Sequence, residues 1–217
     1  MNKTIKVYQG LMGANEEWAA KTRQYLAARK LAMLNIIGSP GSGKTALLEQ
    51  TARLLGPGAF VVLEGDVETT RDAERLQQAG VVSAQLLTSG ACHLEAKLVH
   101  QALIELSSDH SPLVIVENVG NLVCPAEFDI GEAMKIAVLS VTEGEDKPLK
   151  YPLLFREAGA VVVTKTDLLP HLPCALDAFL QNIRRINPDA PVFPLSSYKS
   201  TGMEAWLTWL QAQRPEA

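Results

Sequence analysis

Two kinds of chemistry meet on one short segment, Glu117-Asn118-Val119-Gly120-Asn121-Leu122-Val123-Cys124-Pro125. An apolar run, Leu113 to Val116, ends there on a carboxylate that is followed three residues later by glycine. That is the D-x-x-G spacing at which a GTPase senses a terminal phosphate, with Glu in place of Asp. A carboxylate so placed can hold a magnesium-bound water, and the Gly120 N–H can meet a γ-phosphate. Seven residues beyond Glu117 stands Cys124, one of three cysteines in the chain. Cys92-His93 is the other soft or borderline pair. It falls at the predicted start of a helix over 92–106, where a thiol pKa is lowered toward the metal-binding thiolate. Cys92, His93 and Cys124 make three ligands, one short of a closed tetrahedral site. Such a set either stays open or is completed by a second copy across a two-fold axis. A free cysteine is more often a small core hydrophobe, and that is the reading of Cys174, between Pro173 and Ala175. His100, His110 and His171 lack partner spacing and are expected on surfaces or helix faces.

The phosphate chemistry has a second part. Gly38-Ser39-Pro40-Gly41-Ser42-Gly43-Lys44-Thr45 fits the Walker A pattern at every fixed position. Its glycines, Gly38, Gly41 and Gly43, let the backbone curl so that the N–H groups of residues such as Ser42 face a phosphate, and the following helix adds its positive end. Lys44 is expected to reach the β- and γ-phosphates, and the Thr45 hydroxyl to bind Mg²⁺. Two further acids lie in Gly65-Asp66-Val67-Glu68-Thr69-Thr70-Arg71-Asp72. Asp66 is a candidate for the magnesium sphere, and Asp72 for orienting the attacking water. Their plainer reading is as helix N-terminal acids favoured by the dipole. No Gln follows Gly120 to position water, so intrinsic hydrolysis is expected to be slow.

The base is read from Thr164-Lys165-Thr166-Asp167, which follows the apolar run Val161-Val162-Val163. A carboxylate accepts from the N1–H and exocyclic amine of guanine, whereas adenine would leave Asp167 unpaired. Lys165 can lay its stem along the ring. Thr164 replaces the commoner Asn, which puts one polar contact in doubt. Ser197, within Ser196-Ser197-Tyr198-Lys199, resembles a weak loop over the guanine. GTP is therefore preferred to ATP, and this element argues against a P-loop kinase, the main competing enzyme. A non-enzymatic dimer with structural zinc is the other alternative.

The elements that must position these residues alternate. Apolar, β-branched runs at 31–37, 59–63, 81–87, 113–116, 135–141, 160–163 and 192–195 read as strands. Helical spacing covers 13–30, 45–55, 92–106, 176–186 and 203–211. Strands apolar on both faces with helices between them imply an α/β fold with a mostly parallel sheet and helices on both faces. Ligands of such sheets sit at the carboxyl ends of strands, where the motifs fall. Residues 1–30 are expected to form a helical segment packed on a P-loop GTPase domain of residues 31–217.

Composition narrows the class. The 217 residues suit one domain with a sizeable core. A net charge of −4 argues against nucleic acid and membrane surfaces as partners, and no apolar run reaches the roughly 20 residues of a membrane span. Three cysteines and a start without an apolar signal region predict a cytoplasmic protein with reduced thiols.

Four segments together carry a family resemblance: Gly65 to Glu74, Gly90-Ala91-Cys92-His93-Leu94-Glu95-Ala96, Glu117 to Phe128, and Ser140 to Pro152. From about Leu31 to the C-terminus the chain resembles the HypB family, the nickel-incorporation GTPases of [NiFe]-hydrogenase maturation. The related urease GTPases carry their thiol in Cys-Pro-His, whereas here Cys124-Pro125 precedes Ala126. The resemblance implies a SIMIBI-type G domain in which GTP brings two subunits face to face. Nickel or zinc would be held between them by Cys92, His93 and Cys124, with magnesium on Thr45, Asp66 and Glu117. It also implies a small nickel- and zinc-binding maturation partner and a hydrogenase large-subunit precursor that receives the nickel. Many relatives carry an N-terminal Cys-x-x-Cys-Gly-Cys site or a histidine-rich tract; these residues contain neither, so tight N-terminal nickel storage is not expected. Where many members of the class place a second P-loop lysine that crosses the dimer, this chain has Ser39. Lys147 and Lys150 are the candidates for that contact, against their plainer reading as a solvated charged loop.

Overall fold

In a computed structural model of the chain, backbone is described for residues 3–66, 71–88, 90–106 and 111–215. Side chains are described for the same residues except 3–12, 66, 71 and 73. Seven strands form one sheet in the order β3-β2-β4-β1-β5-β6-β7, and every pairing is parallel. They are β1 (Ala32–Gly38), β2 (Val61–Asp66), β3 (Val82–Leu87), β4 (Leu113–Glu117), β5 (Met134–Ser140), β6 (Ala158–Thr164) and β7 (Val192–Pro194).

Strand β1 has a neighbour on each side and is buried on both faces. Leu34 and Ile36 join one apolar layer, with Leu47 and Leu48 of α2 (Lys44–Leu55) and Trp206 and Leu210 of α9 (Met203–Gln211). Met33 and Ile37 face the opposite layer. There lie α1 (Lys3–Ala28), α4 (Ala96–Glu105), α7 (Pro152–Glu157) and α8 (Leu176–Ile186), through residues such as Leu26, Val99, Phe155 and Phe179. This is the two-sided burial that the β-branched runs predicted. Because the chain leaves β1 toward β2 on one side and returns to β5 on the other, the order reverses at β1. Such a switch point opens a crevice beyond the strand ends. No helix among the described residues is long and apolar enough to cross a membrane.

Three differences from the sequence reading have physical causes. Helix α1 begins at Lys3, earlier than the 13–30 window. Its residues Asn15, Ala19, Thr22 and Leu26 are buried at helical spacing, and Gly131 (φ 88°) lets it approach closely, since a Cβ there would stand 2.7 Å from the Ala19 carbonyl. Helix α3 (Arg71–Gln78) and the single turns α5 (Cys124–Glu127) and α6 (Lys147–Lys150) were not predicted; their sequences are too short or too polar to show a period. Most important, the helix expected from Cys92 starts only at Ala96. The buried Asn15 accepts from the Ala96 N–H at 2.9 Å and donates to the Asp129 carbonyl at 2.7 Å. The capping group of α4 thus comes from α1, where no local pattern around residue 92 can announce it.

Candidate nucleotide and metal site

At the end of β1 the loop 39–43 turns into α2 through Gly41 (φ 74°) and Gly43 (φ 94°), both left-handed. Gly38 lies so close to β5 that a Cβ would sit 2.5 Å from the Val138 carbonyl. Ser42 is fully buried. Lys44 is buried too, and its ammonium donates to the carbonyls of Gly38 and Ser39 at 3.2 and 3.3 Å. Burial lowers its pKa, against the pull of Glu117 and other acids. The Thr45 hydroxyl donates to Glu117 Oε1 at 2.7 Å.

Glu117 ends β4 and is fully enclosed, and burial pushes its carboxyl up to about 7 although Lys44 and Thr45 act to lower it. Among the described residues its second oxygen, Oε2, has no hydrogen-bond partner. Residues Lys44, Thr45, Glu64, Asp72, Glu117, Gly120 and Lys165 are among those lining one cavity of about 510 Å³. Gly120 packs on the P-loop, where a Cβ would meet Pro40 at 2.8–3.0 Å. Asp72, in the first turn of α3, is paired with Arg75 at 2.9 Å, and Arg75 is held in turn by Glu49. Asp66 closes β2 in register with Leu87, and its side chain lies outside the described residues.

A second cavity of about 250 Å³ adjoins the first, lined by Gly43, Ala46, Thr164, Lys165, Asp167, Ser197 and Tyr198 among others. Lys165 is left-handed (φ 58°), and its ammonium donates to the Gly41 carbonyl at 2.7 Å, tying this loop to the P-loop. Thr164, read as a weak substitute for Asn, has its own task. Its hydroxyl donates to the Ser42 carbonyl at 2.5 Å and braces the phosphate loop from β6.

The third group lies on the far side of Gly120. Cys92 Sγ is 3.0 Å from Cys124 Sγ and 3.6 Å from His93 Nδ1. One ligand atom from each of Cys92, His93 and Cys124 fits within 4.8 Å of the others. His93 stacks on Phe128 with ring centroids 3.9 Å apart, and its buried Nε2 has no partner among the described residues. Burial lowers the imidazole pKa, which favours the neutral, ligating form. The expected helix-dipole effect on Cys92 is overturned, because no helix begins there. Its pKa is instead raised, chiefly by the hydrogen bond to Cys124 and by burial.

Sequence reasoning missed the residues that join the two sites. Asn118, buried, accepts from the backbone N–H groups of Val119 and Leu94 and donates to Asn35 Oδ1. Asn121 donates to the Cys92 carbonyl at 3.2 Å and accepts from the Val123 N–H. The available signal was a polar amide directly after a fully apolar strand, inside a motif already singled out.

Other candidates stand apart. Lys147 lies 3.9 Å from Glu143 and Lys150 is paired with Asp146 at 2.5 Å, so both have partners within the chain. Cys174 is half-buried, its sulfur 4.0 Å from the Val141 carbonyl. His100 lies on a helix face between Trp18 and Tyr25 of α1, and His171 is exposed. His110 lies outside the described residues.

The CobW/HypB/UreG nucleotide-binding domain matches residues 32–194. The hydrogenase maturation factor HypB of Azotobacter vinelandii is 47% identical over 98% of this chain and 71% of its own length. The chain belongs to the HypB family. Among solved structures, HypB from Helicobacter pylori in complex with nickel superposes with a TM-score of 0.85 at 36% identity, covering 94% of this chain and 98% of that one. A signal recognition particle 54 kDa protein from Aeropyrum pernix in complex with GDP superposes with a TM-score of 0.57 at 14% identity, over 85% of this chain and 48% of that one. That second likeness concerns the fold alone. In this HypB-family chain the P-loop, the Glu117 segment and the Thr164–Asp167 loop all lie within the matched domain.

Proposed function

We propose that the chain is a GTP-hydrolysing metallochaperone that delivers nickel during [NiFe]-hydrogenase maturation, with GTP controlling both dimerisation and a metal site between subunits. One observation carries this reading. The segment from Glu117 to Cys124 meets the P-loop threonine at one end and the Cys92 thiol at the other, with Asn118 and Asn121 gripping the backbone of residues 92–94 between them. A displacement at the γ-phosphate therefore reaches the metal ligands through bonded contacts and not through distance alone.

The roles follow from position. The P-loop amides of Gly38, Gly41, Ser42 and Gly43 cradle phosphates, and Lys44 exchanges its carbonyl contacts for phosphate oxygens. Asp167 reads guanine, with Lys165 along the ring and Ser197 over it. Asp72 orients the attacking water, and its pairing with Arg75 holds the carboxylate in place. The orphaned Glu117 Oε2 beside the Thr45 hydroxyl is the kind of acceptor that a hydrated magnesium ion needs. Thr45, Asp66 and Glu117 would hold it, and it would neutralise charge developing on the phosphates. Turnover is slow, since no glutamine follows Gly120.

Cys92, His93 and Cys124 bind the cargo. Two thiols and an imidazole suit nickel and zinc alike, and the related structure solved with nickel supports nickel. Three ligands per chain leave room for a second copy to complete the sphere. Lys147 and Lys150 are proposed to reach the partner's nucleotide, and residues 1–30 to serve as a helical segment attached to the domain of residues 31–217. A small maturation partner and the large-subunit precursor complete the pathway in a cytoplasmic setting. Nickel affinity measured with GDP, with a non-hydrolysable GTP analogue and without nucleotide tests the reading. Affinity differing by about 1–3 kcal/mol between nucleotide states is expected, and equal values in all three overturn the coupling.

A further inference from the structure

We propose that Cys92 and Cys124 form a reversible intrachain disulfide, so that this site is also a redox modification site. The inference goes beyond the nickel reading and does not depend on which metal is carried.

The two sulfurs stand 3.0 Å apart although 32 residues separate them in sequence. A disulfide needs about 2.05 Å, so roughly 1 Å must close. The surroundings permit that movement. Cys92 is exposed, in a bend before α4, and Cys124 is half-buried at the start of a single helical turn. Neither lies in a sheet strand whose ladder would resist a shift. Asn121 holds the Cys92 carbonyl, which keeps the two loops together while the side chains turn. The remaining cysteine does not compete, because its sulfur sits against the Val141 carbonyl, whereas the Cys92 and Cys124 sulfurs are already in contact.

The oxidant is hydrogen peroxide. The Cys92 sulfur attacks one peroxide oxygen, the O–O bond breaks, and the leaving oxygen departs as water once protonated, giving a sulfenic acid at Cys92. The Cys124 thiol then attacks the Cys92 sulfur, the S–S bond forms, and the S–OH bond breaks to release a second water. Two thiols lose two electrons and the peroxide gains them. Cys92 is the initial nucleophile because it is the exposed sulfur, and Cys124 is the resolving thiol because it is already in contact. A dithiol reductant reverses the bridge by exchange.

The consequence is exclusive occupancy. Once bridged, both sulfurs are lost as thiolate ligands and His93 alone remains of the three. A metal bound to both thiolates blocks oxidation in turn. The bridge also fastens residues 120–124 to the 90–93 loop without touching Lys44, Thr45, Lys165 or Asp167.

The test uses the full chain, stripped of metal with a chelator and treated with stoichiometric hydrogen peroxide, alongside a Cys174→Ser variant. The expected result is a fall from three free thiols to one in the parent, and from two to none in the variant. A loss of two hydrogens by intact mass and a non-reduced peptide joining Cys92 to Cys124 accompany it. Nickel affinity should fall by at least roughly 100-fold, since outer-shell partners alone are worth 10–100-fold, and recover with dithiothreitol, while GDP affinity stays unchanged. Zinc loaded beforehand should protect both thiols. A sulfinic acid at Cys92 with Cys124 free, a bridge only between chains, or a bridge to Cys174 would each overturn the proposal. Were the reduced chain to bind no nickel, the metallochaperone reading would fail, whereas thiol count and mass would still decide the bridge.

Discussion

Replacing Glu117 by glutamine should stabilise the nucleotide-free protein while disabling it. The carboxyl is enclosed, one oxygen bonded to Thr45 and the other without a partner among the described residues, and burial raises its pKa from 4.5 to about 7. The native state therefore holds a proton that the unfolded chain has already released between those two values. Stability from this group is complete below about pH 4.5 and is lost as pH rises through 7. At roughly 1.4 kcal/mol per pH unit, that interval corresponds to about 3 kcal/mol. Glutamine keeps the shape, can still accept from Thr45, and does not titrate. Lys44 works in the other direction, because it loses the acid that most supports its charge, so the figure is a ceiling.

Unfolding in urea at pH 5 and pH 8, with magnesium and nucleotide removed, measures the effect. The variant should match the parent near pH 5 and exceed it at pH 8 by up to about 3 kcal/mol, or about 6–12 °C in Tm. Adding magnesium and a GTP analogue should reverse the order, since ligand at 100 times its Kd adds about 2.7 kcal/mol only to the protein that binds it. Parallel pH profiles for the two proteins would refute the reasoning, because a carboxyl that did not change its protonation on folding would produce them.

Three further substitutions separate the parts of the molecule. Asp167→Asn should weaken GDP binding by about 2–3 kcal/mol and improve binding of xanthosine diphosphate, read by competition, because an amide donates where the carboxylate accepted. Gly120→Ala drives a methyl group into Pro40 and should lower affinity for a GTP analogue at least about tenfold, with the far-ultraviolet spectrum unchanged. Asn15→Ala leaves the Ala96 N–H without its cap and the Asp129 carbonyl without its donor. It should cost about 2–3 kcal/mol in urea unfolding while nucleotide affinity is retained.

What was legible in the sequence follows a physical rule. The central strands were readable because a parallel strand covered on both faces must be apolar throughout, as Val161-Val162-Val163 and Leu113 to Val116 are. The P-loop was readable because its turn geometry fixes glycine spacing. The start of α4 was not, because its cap is Asn15, 81 residues away. The Cys92–Cys124 contact depends on sheet order. Strand β3, which leads into Cys92, and β4, which leads into Cys124, are separated only by β2, and no spacing in the chain encodes that neighbourhood. Thr164 has a structural role that its comparison with Asn did not suggest, since its hydroxyl supports the Ser42 carbonyl.

The segment between the two sites is unequally held, and this decides how it can transmit force. Through Asn118 it is held to the sheet, since β4 ends at Glu117 and the Asn118 N–H donates to the Ile36 carbonyl at 3.0 Å. The Asn118 side-chain Oδ1 accepts two backbone N–H groups, which turns its NH2 toward Asn35, and Asn35 is anchored in turn by Glu132. Beyond Gly120 the tethers to the 92–94 loop are Asn121 and the sulfur contact. A rigid lever would need equal restraint along its length, and this one stiffens toward the phosphate and loosens toward the metal. Between the two parts lies Gly120, the residue pressed against Pro40 of the P-loop. In the proposed switch, phosphate occupancy would act there by setting the path that Asn121 and Cys124 take beyond β4. The ligand geometry at Cys92 and His93 can then change while β4 and Asn118 stay in place.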